Sequence, residues 1–373
     1  MRLGVAGALC LALPWPENPV LSAEKLPSHL AVGRLIGENG QIGTDPIYIT
    51  GIDYNLNYLV TDGKTQTRLP ITKVLIFEGY PWRNVGFYRN LGVRLDNLIP
   101  METVKQAGAG RIRIRVNESS VGVADSEFEN VLAAAEKAKV GTLLVIDTNH
   151  PWEGDNEARL VKMVQTIFAL HPRAELEILN EIDDQNAVRW EGRNLATAAH
   201  FTKVVIETVN EMMWKKGHQT KLWLPALIDV ANTPFFVQAL KTELGSKLPL
   251  NRLWNVGQAM HFYPDLNTDP KLVGIANGVW YASDQFFKIA GRYPKIAVTE
   301  VGQRGNYLDR IAGINFVKNC FQQPGVGSVY FHELLNHSEG SPLDTDFGLI
   351  DANGQAWPAY YYLAALGRRM AGY

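Results

Sequence analysis

The sequence predicts an α/β fold, a (β/α)8 TIM barrel that carries a small N-terminal β-rich decoration. From about residue 91 onward, short runs rich in branched apolar residues alternate with amphipathic stretches. Eight such runs occur, and each is followed by a helical pattern, which implies parallel strands joined by right-handed crossovers. Residues 91–373 are also enough for a barrel of this kind, which takes roughly 250 residues.

The predicted barrel strands share an apolar body and a polar carboxyl end. They cover residues 92–97, 111–117, 142–150, 175–181, 221–229, 256–262, 295–302 and 327–333. An open doubly wound sheet is the alternative, and a nucleotide-binding sheet of that type carries a glycine-rich turn between a strand and a helix. The glycines of 37–43 have the wrong spacing for this turn, and those of 108–111 precede a strand. The closed barrel is therefore preferred.

The residues before the barrel read differently. Turn signals separate short extended runs in 28–90, which predicts a β-rich segment packed on the barrel. Residues 1–23 resemble a secretory signal, with Arg2, an apolar region and a small-residue cleavage site at Leu21-Ser22-Ala23. We therefore expect a secreted or periplasmic protein. The alternative is a cytoplasmic protein in which this segment is buried.

Composition excludes several classes of function. The formal net charge of -2 comes from 36 basic and 38 acidic residues without a basic cluster, so we expect no nucleic-acid partner. No apolar run approaches the roughly 20 residues of a membrane span. The two cysteines, Cys10 and Cys320, lie far apart in the sequence and form no zinc-binding pattern; Cys320 falls in an apolar helical pattern typical of the core. We expect a monomer that needs no cofactor and no metal.

Polar residues gather at the predicted carboxyl ends of the strands, where the active sites of such barrels lie. The positions are Asn97, 113–117, Asn149, His150, Asn180, Glu181, 261–263, Glu300, His332 and Glu333. Two of them, Glu181 and Glu300, are carboxylates at the ends of the fourth and seventh strands. Glycoside hydrolysis needs two carboxyl groups, one that protonates the leaving oxygen and one that attacks the anomeric carbon or activates water.

In combination, these motifs resemble glycoside hydrolase clan A, the cellulase superfamily of barrels. Asn180-Glu181 and Glu300 match its fourth-strand and seventh-strand signatures, and 108–116 is similar to the second strand of family-five cellulases. Asn149-His150 resembles the His pair of their third strand, His261-Phe262-Tyr263 matches the sixth-strand His-x-Tyr, and 347–366 looks like the closing segment and final helix. The chain departs from the pattern at Ile182, where proline is common, and in lacking a Trp on strand eight. These departures leave the particular family and the substrate open.

The resemblance implies a retaining glycosidase with Glu181 as general acid/base and Glu300 as nucleophile. Arg113 would hydrogen-bond Glu300, and Asn180 would hydrogen-bond the sugar 2-OH. Each supporting residue could also have a purely structural role. Arg113 could form a rim salt bridge, His150 could be a loop residue, His261 a core histidine, and Trp152 ordinary packing instead of a sugar-stacking surface.

Two rival functions keep the barrel. The first is a catalytically inactive carbohydrate-binding barrel, although binding alone has no use for an acid and a nucleophile. The second is a metal-dependent hydrolase, which would need convergent His and Asp ligands. The segment 332–337, His-Glu-Leu-Leu-Asn-His, resembles a zinc motif but places its second His at i+5, about 140° away on a helix. Neither the sugar and its linkage nor exo versus endo action follows from the sequence.

Overall fold

The computed structural model describes residues within 31–371, and the undescribed residues inside that range are 36–40, 42, 53–56, 62–64, 71–73, 79–87, 96–99, 117–120, 125, 147–155, 184–194, 218, 264–273, 304–306, 335–346, 351–355 and 357. The predicted signal at 1–23 and Asn97 therefore lie outside the described residues. Within the described part of the chain, no helix is long and apolar enough to cross a membrane.

Eight parallel strands close into a barrel, which confirms the predicted fold class. The strands are β6 (Tyr88–Arg94), β7 (Ala109–Val116), β8 (Gly141–Ile146), β9 (Glu175–Ile178), β10 (Leu222–Leu224), β11 (Val256–Phe262), β12 (Ile296–Val301) and β13 (Val326–Phe331). Their order around the barrel follows the chain, and β13 pairs with β6 to close it.

One helix follows each barrel strand, as the alternating pattern predicts. The helices are α1 (Met101–Gln106), α2 (Glu127–Ala138), α3 (Asn156–Leu170), α4 (Leu195–Lys216), α5 (Thr233–Leu244), α6 (Ile275–Ala290), α7 (Tyr307–Phe321) and α8 (Pro358–Met370). Their apolar faces pack on the outside of the barrel. On α2, Phe128, Val131, Leu132 and Ala135 are buried, and the Ser126 hydroxyl caps the helix by accepting from the Glu129 amide. Cys320 is fully buried on α7, and burial raises the pKa of its thiol.

The N-terminal segment forms a five-stranded antiparallel sheet. Its strands are β1 (Ala31–Leu35), β2 (Ile47–Ile52), β3 (Asn57–Thr61), β4 (Gln66–Pro70) and β5 (Val74–Glu78), in the order β4-β3-β2-β1-β5. Ile49 and Val60 are buried in the same apolar cluster as residues of α8. The sheet therefore shares a core with the last helix of the barrel. The first barrel strand begins at Tyr88, four residues before the start of the predicted strand at 92–97.

Two strand ends differ from the sequence prediction because the backbone turns before the functional residues. The fourth barrel strand, predicted to reach position 181, ends at Ile178, and Leu179 and Glu181 have left-handed φ angles of 65° and 44°. The fifth, predicted over 221–229, is a ladder of only three residues. An isolated bridge between Asn180 and Ala226 continues the pairing beyond the turn.

Candidate active site

Six of the predicted site residues converge at the carboxyl end of the barrel. Arg113 lies on β7, Asn180 and Glu181 follow β9, His261 lies on β11 with Tyr263 just after it, and Glu300 lies on β12. Most are buried: Arg113 is 0 % exposed and Glu300 3 %. The other three predicted residues, Asn149, His150 and Trp152, lie outside the described residues.

Donors surround the carboxylate of Glu300. Arg113 donates from Nη1 to Oε1, and the Tyr263 hydroxyl donates to Oε2. Nδ1 of His332 lies 3.5 Å from the same Oε2 atom. A guanidinium and a phenol hydrogen-bonded to a carboxylate stabilise its negative charge. This is the environment that an attacking carboxylate requires.

Glu181 occupies a more open position. Its side chain is 24 % exposed, and Oε1 lies 2.8 Å from Nδ1 of His261. Asn180 donates from Nδ2 to Oε2 over 3.3 Å. The Glu181 amide donates to the carbonyl of Ala226, which fixes the turn after β9 to the neighbouring strand. Glu181 therefore combines a fixed backbone with a carboxyl group that solvent can reach.

The turn that carries Glu181 holds non-glycine residues in an uncommon conformation. Left-handed φ angles at Leu179 and Glu181 each cost on the order of 1–3 kcal/mol, and such strain collects at functional sites. Leu179 is fully buried, so packing holds it in place. Because the backbone turns at Leu179, Asn180 no longer follows the in-and-out alternation of side chains along the strand. The side-chain amide of Asn180 lies between Arg113 and Glu181.

His261 links the two glutamates. It is 3 % exposed, and its Nδ1 lies 2.8 Å from Glu181 and 3.9 Å from Oε2 of Glu300. Burial lowers the pKa of His261, but Glu300, Glu177 and Glu181 outweigh it and raise the pKa to about 9. The surrounding carboxylates therefore favour the protonated, positively charged form of His261. The sequence left two alternatives for His261, a supporting site residue or a core histidine. Its contacts with both glutamates fit the site residue better.

The sequence analysis missed Glu177, the most buried carboxylate of the cluster. Arg113 donates to it from both Nε (2.7 Å) and Nη2 (3.1 Å), and the Thr299 hydroxyl donates to Oε1 over 2.9 Å. Burial raises the pKa of Glu177, but Arg113 and His261 outweigh burial and lower it. The signal was present in the sequence: Glu175 and Glu177 alternate with apolar residues on β9, just as Arg111 and Arg113 do on β7. Matched charges on alternate strands predict pairing inside the barrel.

His332 is a second residue to which the sequence gave no role. It follows β13, and its ring meets Tyr263 edge-on at a centroid distance of 5.5 Å. Phe347 packs against both rings, at 5.4 Å from Tyr263 and 4.9 Å from His332. These three rings hold the Tyr263 hydroxyl against Glu300. The position of His332 at a strand end was the available signal.

One nitrogen of His261 and one oxygen each of Glu181 and Glu300 lie within 4.8 Å of one another. A His and two carboxylates at this spacing also fit a metal ion in principle. However, Arg113 and Tyr263 already donate to the two oxygens of Glu300, and a guanidinium opposes a cation there. The expectation that the site needs no metal stays a prediction.

Comparison with known proteins finds similarity in structure only. No protein-family model and no curated protein sequence matches the chain. A family 39 glycoside hydrolase from Bacteroides cellulosilyticus WH2 superposes with a TM-score of 0.61 at 14% identity, over 92% of this chain and 78% of the other. A glucosidase from Croceicoccus marinus reaches 0.58 at 11% identity, over 77% and 67%. A GH5 family lichenase from Caldicellulosiruptor sp. F32 reaches 0.52 at 15% identity, over 75% and 93%.

At these identities the comparisons establish the fold: the chain has the barrel architecture of solved glycoside hydrolases. This agrees with the resemblance to clan A that the sequence motifs indicate. A shared fold does not by itself assign a reaction, because one barrel supports many chemistries. The function must be argued from the site.

Proposed function

We propose that this protein is a retaining glycoside hydrolase that cleaves O-glycosidic bonds of an oligo- or polysaccharide by double displacement. The observation that carries the proposal is the pairing of Glu181 and Glu300, whose nearest oxygens lie within 4.8 Å of each other in unlike environments. Retaining glycosidases hold their carboxyl groups about 5–5.5 Å apart, whereas inverting enzymes leave about 6.5–9.5 Å for a water molecule. An approach this close between single oxygens is compatible with the shorter, retaining spacing.

In the first step, an oxygen of Glu300 attacks the anomeric carbon and forms a glycosyl ester. The bond from that carbon to the leaving oxygen breaks, and its electron pair takes the proton of Glu181. Arg113 and Tyr263 keep Glu300 ionised and oriented for attack. Glu181 reaches solvent, so it can deliver its proton to a departing sugar at the mouth of the barrel.

In the second step, a water molecule attacks the anomeric carbon while Glu181 accepts a proton from that water. The ester bond breaks and its electron pair returns to Glu300 as the carboxylate. Asn180, whose Oδ1 accepts from Arg113, is fixed beside both glutamates and can hydrogen-bond the sugar 2-OH. That hydrogen bond strengthens as positive charge develops on the sugar ring, so it lowers the barrier.

An inactive carbohydrate-binding barrel remains the alternative, but it gives no reason for an imidazolium and a guanidinium to be arranged around two opposed carboxylates. The polysaccharide- and glucoside-acting enzymes among the structural neighbours support a carbohydrate substrate. A substrate screen would identify the sugar, the linkage and the exo or endo mode of cleavage.

The test is a panel of aryl glycosides and polysaccharides, followed by NMR of the first product anomer. We expect cleavage of at least one substrate with retention of configuration at the anomeric carbon. Inverted product would exclude the double displacement, and no cleavage of any member would favour the inactive binding barrel.

A further inference from the structure

Glu177 is fully buried on β9, four residues before Glu181, and it contacts both Arg113 and His261. We propose that Glu177 is a positioning residue that holds Arg113 and His261 in place and supplies a constant negative charge to balance them. This inference rests on the proposed function and assigns a role to a residue that the two-step reaction does not use directly.

The contact with Arg113 fixes the direction of the guanidinium. Nε and Nη2 both donate to Glu177, which is a two-point attachment that sets the plane of the group. Nη1 is then directed at Glu300, while Nη2 also donates to Asn180 over 2.7 Å. Without Glu177 the guanidinium would keep its charge but lose the attachment that aims it.

The contact with His261 is electrostatic. Nε2 of His261 lies 3.7 Å from Oε1 of Glu177, on the side of the ring away from Glu181. The Thr299 hydroxyl donates to the same Oε1 atom and holds it in place. The other ionisable groups facing the imidazole are Glu181 beyond β9, Glu300 on β12 and Tyr263 beyond β11.

A charge count shows why a constant carboxylate matters. In the resting state of the proposed mechanism, Arg113 and a protonated His261 supply two positive charges, Glu300 and Glu177 supply two negative charges, and Glu181 holds the proton that it donates. In the glycosyl-enzyme, Glu300 is an ester and Glu181 becomes the carboxylate that serves as base. The negative charge moves from Glu300 to Glu181 while Glu177 stays ionised, so the buried cluster is neutral in both states. Avoiding net charge in a low-dielectric site lowers the cost of both.

The chain provides a matched control in Glu175, two residues earlier on the same strand and also facing into the barrel. Glu175 is buried and binds its own cations, with Arg111 Nη1 at 2.9 Å and Lys221 Nζ at 3.0 Å. The Trp223 indole donates to its other oxygen. Changing Glu175 removes a buried, paired carboxylate from the same strand without touching Arg113 or His261.

The experiment compares E177Q and E175Q by NMR titration of the His261 ring in the full chain. We expect the pKa of His261 to fall by at least about one unit in E177Q, since a charge a few ångströms away is lost from a buried site, and to stay unchanged in E175Q. In E177Q, kcat should fall at least about tenfold with little change in KM, and the alkaline limb of the pH–kcat profile should move to lower pH. A purely structural Glu177 would move neither titration.

The E177D variant separates the effect of the negative charge from that of side-chain length. It also provides the test if E177Q does not fold. It keeps the negative charge but shortens the side chain, so we expect a His261 pKa closer to wild type than in E177Q, together with lowered kcat because the two-point contact with Arg113 is lost. An unchanged His261 pKa in E177Q, an equal shift in E175Q, or full activity in E177D would overturn the proposal. If the wild type cleaves no glycoside but E177Q still shifts His261, the proposed function fails while the charge linkage stands.

Discussion

The barrel interior contains two charged layers built from the same sequence pattern, and they differ in one respect. In the lower layer, Glu175 pairs with two cations, Arg111 and Lys221. Burial raises the pKa of Glu175, but the two cations outweigh burial and lower it. Trp223 donates to its second oxygen, and Tyr330 is fully buried beside Arg111. Each described charge of this layer has a fixed partner, and no proton needs to move.

The upper layer has the reverse balance. Three carboxylates, Glu177, Glu181 and Glu300, meet Arg113 and the imidazolium of His261. With more carboxylates than cations, electroneutrality is reached when one carboxyl group carries a proton. In the proposed mechanism that proton is the one which the general acid donates, whereas the proposed reaction assigns no proton transfer to the lower layer. The two layers of the barrel interior therefore differ in the balance of carboxylates and cations, and the variants below test whether they also differ in function.

The largest expected effect comes from Glu300→Ala in the upper layer. No glycosyl ester can form, so turnover of every substrate should fall by at least about four orders of magnitude. Azide can then enter the vacated space, and activated substrates should yield glycosyl azide of inverted configuration by NMR. E175Q, as the matched control, should keep its turnover. Substantial residual hydrolysis in the Glu300→Ala variant would assign the nucleophile to another residue.

Glu181→Ala should have an effect that depends on the leaving group. Loss of a general acid costs roughly 10²–10⁴-fold for substrates that need protonation, and much less for dinitrophenyl glycosides. With such activated substrates the first step stays fast, and the second stalls because no base activates water. Azide should then restore turnover and give product of retained configuration. Swapped azide products between the two variants would reverse the assigned roles.

Tyr263→Phe should have a smaller effect. It removes one hydrogen bond to a buried carboxylate, worth about 1.5–3 kcal/mol, and so lowers kcat/KM by roughly 10–100-fold. The edge-on ring contacts with His332 and Phe347 should survive, so the melting temperature should change little. A loss of activity that merely follows a loss of stability would show that the ring, not the hydroxyl, is what matters.

Much of this molecule follows from local sequence patterns. Alternation between branched apolar runs and amphipathic stretches predicted the barrel, and strand-end polarity predicted Glu181 and Glu300. Periodicity could not locate the end of β9, because Leu179 adopts a left-handed conformation that its own preferences oppose and only tertiary packing maintains. Asn180 and Glu181 directly follow this turn, and their position as functional residues stays a prediction.

The missed residues show a different limit. Glu177 was not predicted because the prediction rested on polar residues at strand ends. Glu177 lies inside β9, and its role depends on its ion pair with Arg113 on another strand. A charged residue at alternate positions of an otherwise apolar buried strand costs free energy unless it is paired. The alternating charges of β7 and β9, taken together, predict the pairs Arg113–Glu177 and Arg111–Glu175.

The smallest effect on activity is expected from Glu175→Gln in the lower layer, where the change should appear in stability. Removing one partner of a buried ion cluster costs about 3–5 kcal/mol at neutral pH, measured by urea unfolding, while kcat stays at the wild-type level. Because Arg111 and Lys221 hold the folded pKa of Glu175 below its ordinary 4.5, its ionisation stabilises the fold above pH 4.5, and that stability is lost as pH falls through the folded pKa. The difference between wild type and variant should therefore shrink below pH 4.5. A difference that stays constant to pH 3 would mean that packing, not charge, is what Glu175 contributes, and a fall in kcat would show that the two layers are coupled.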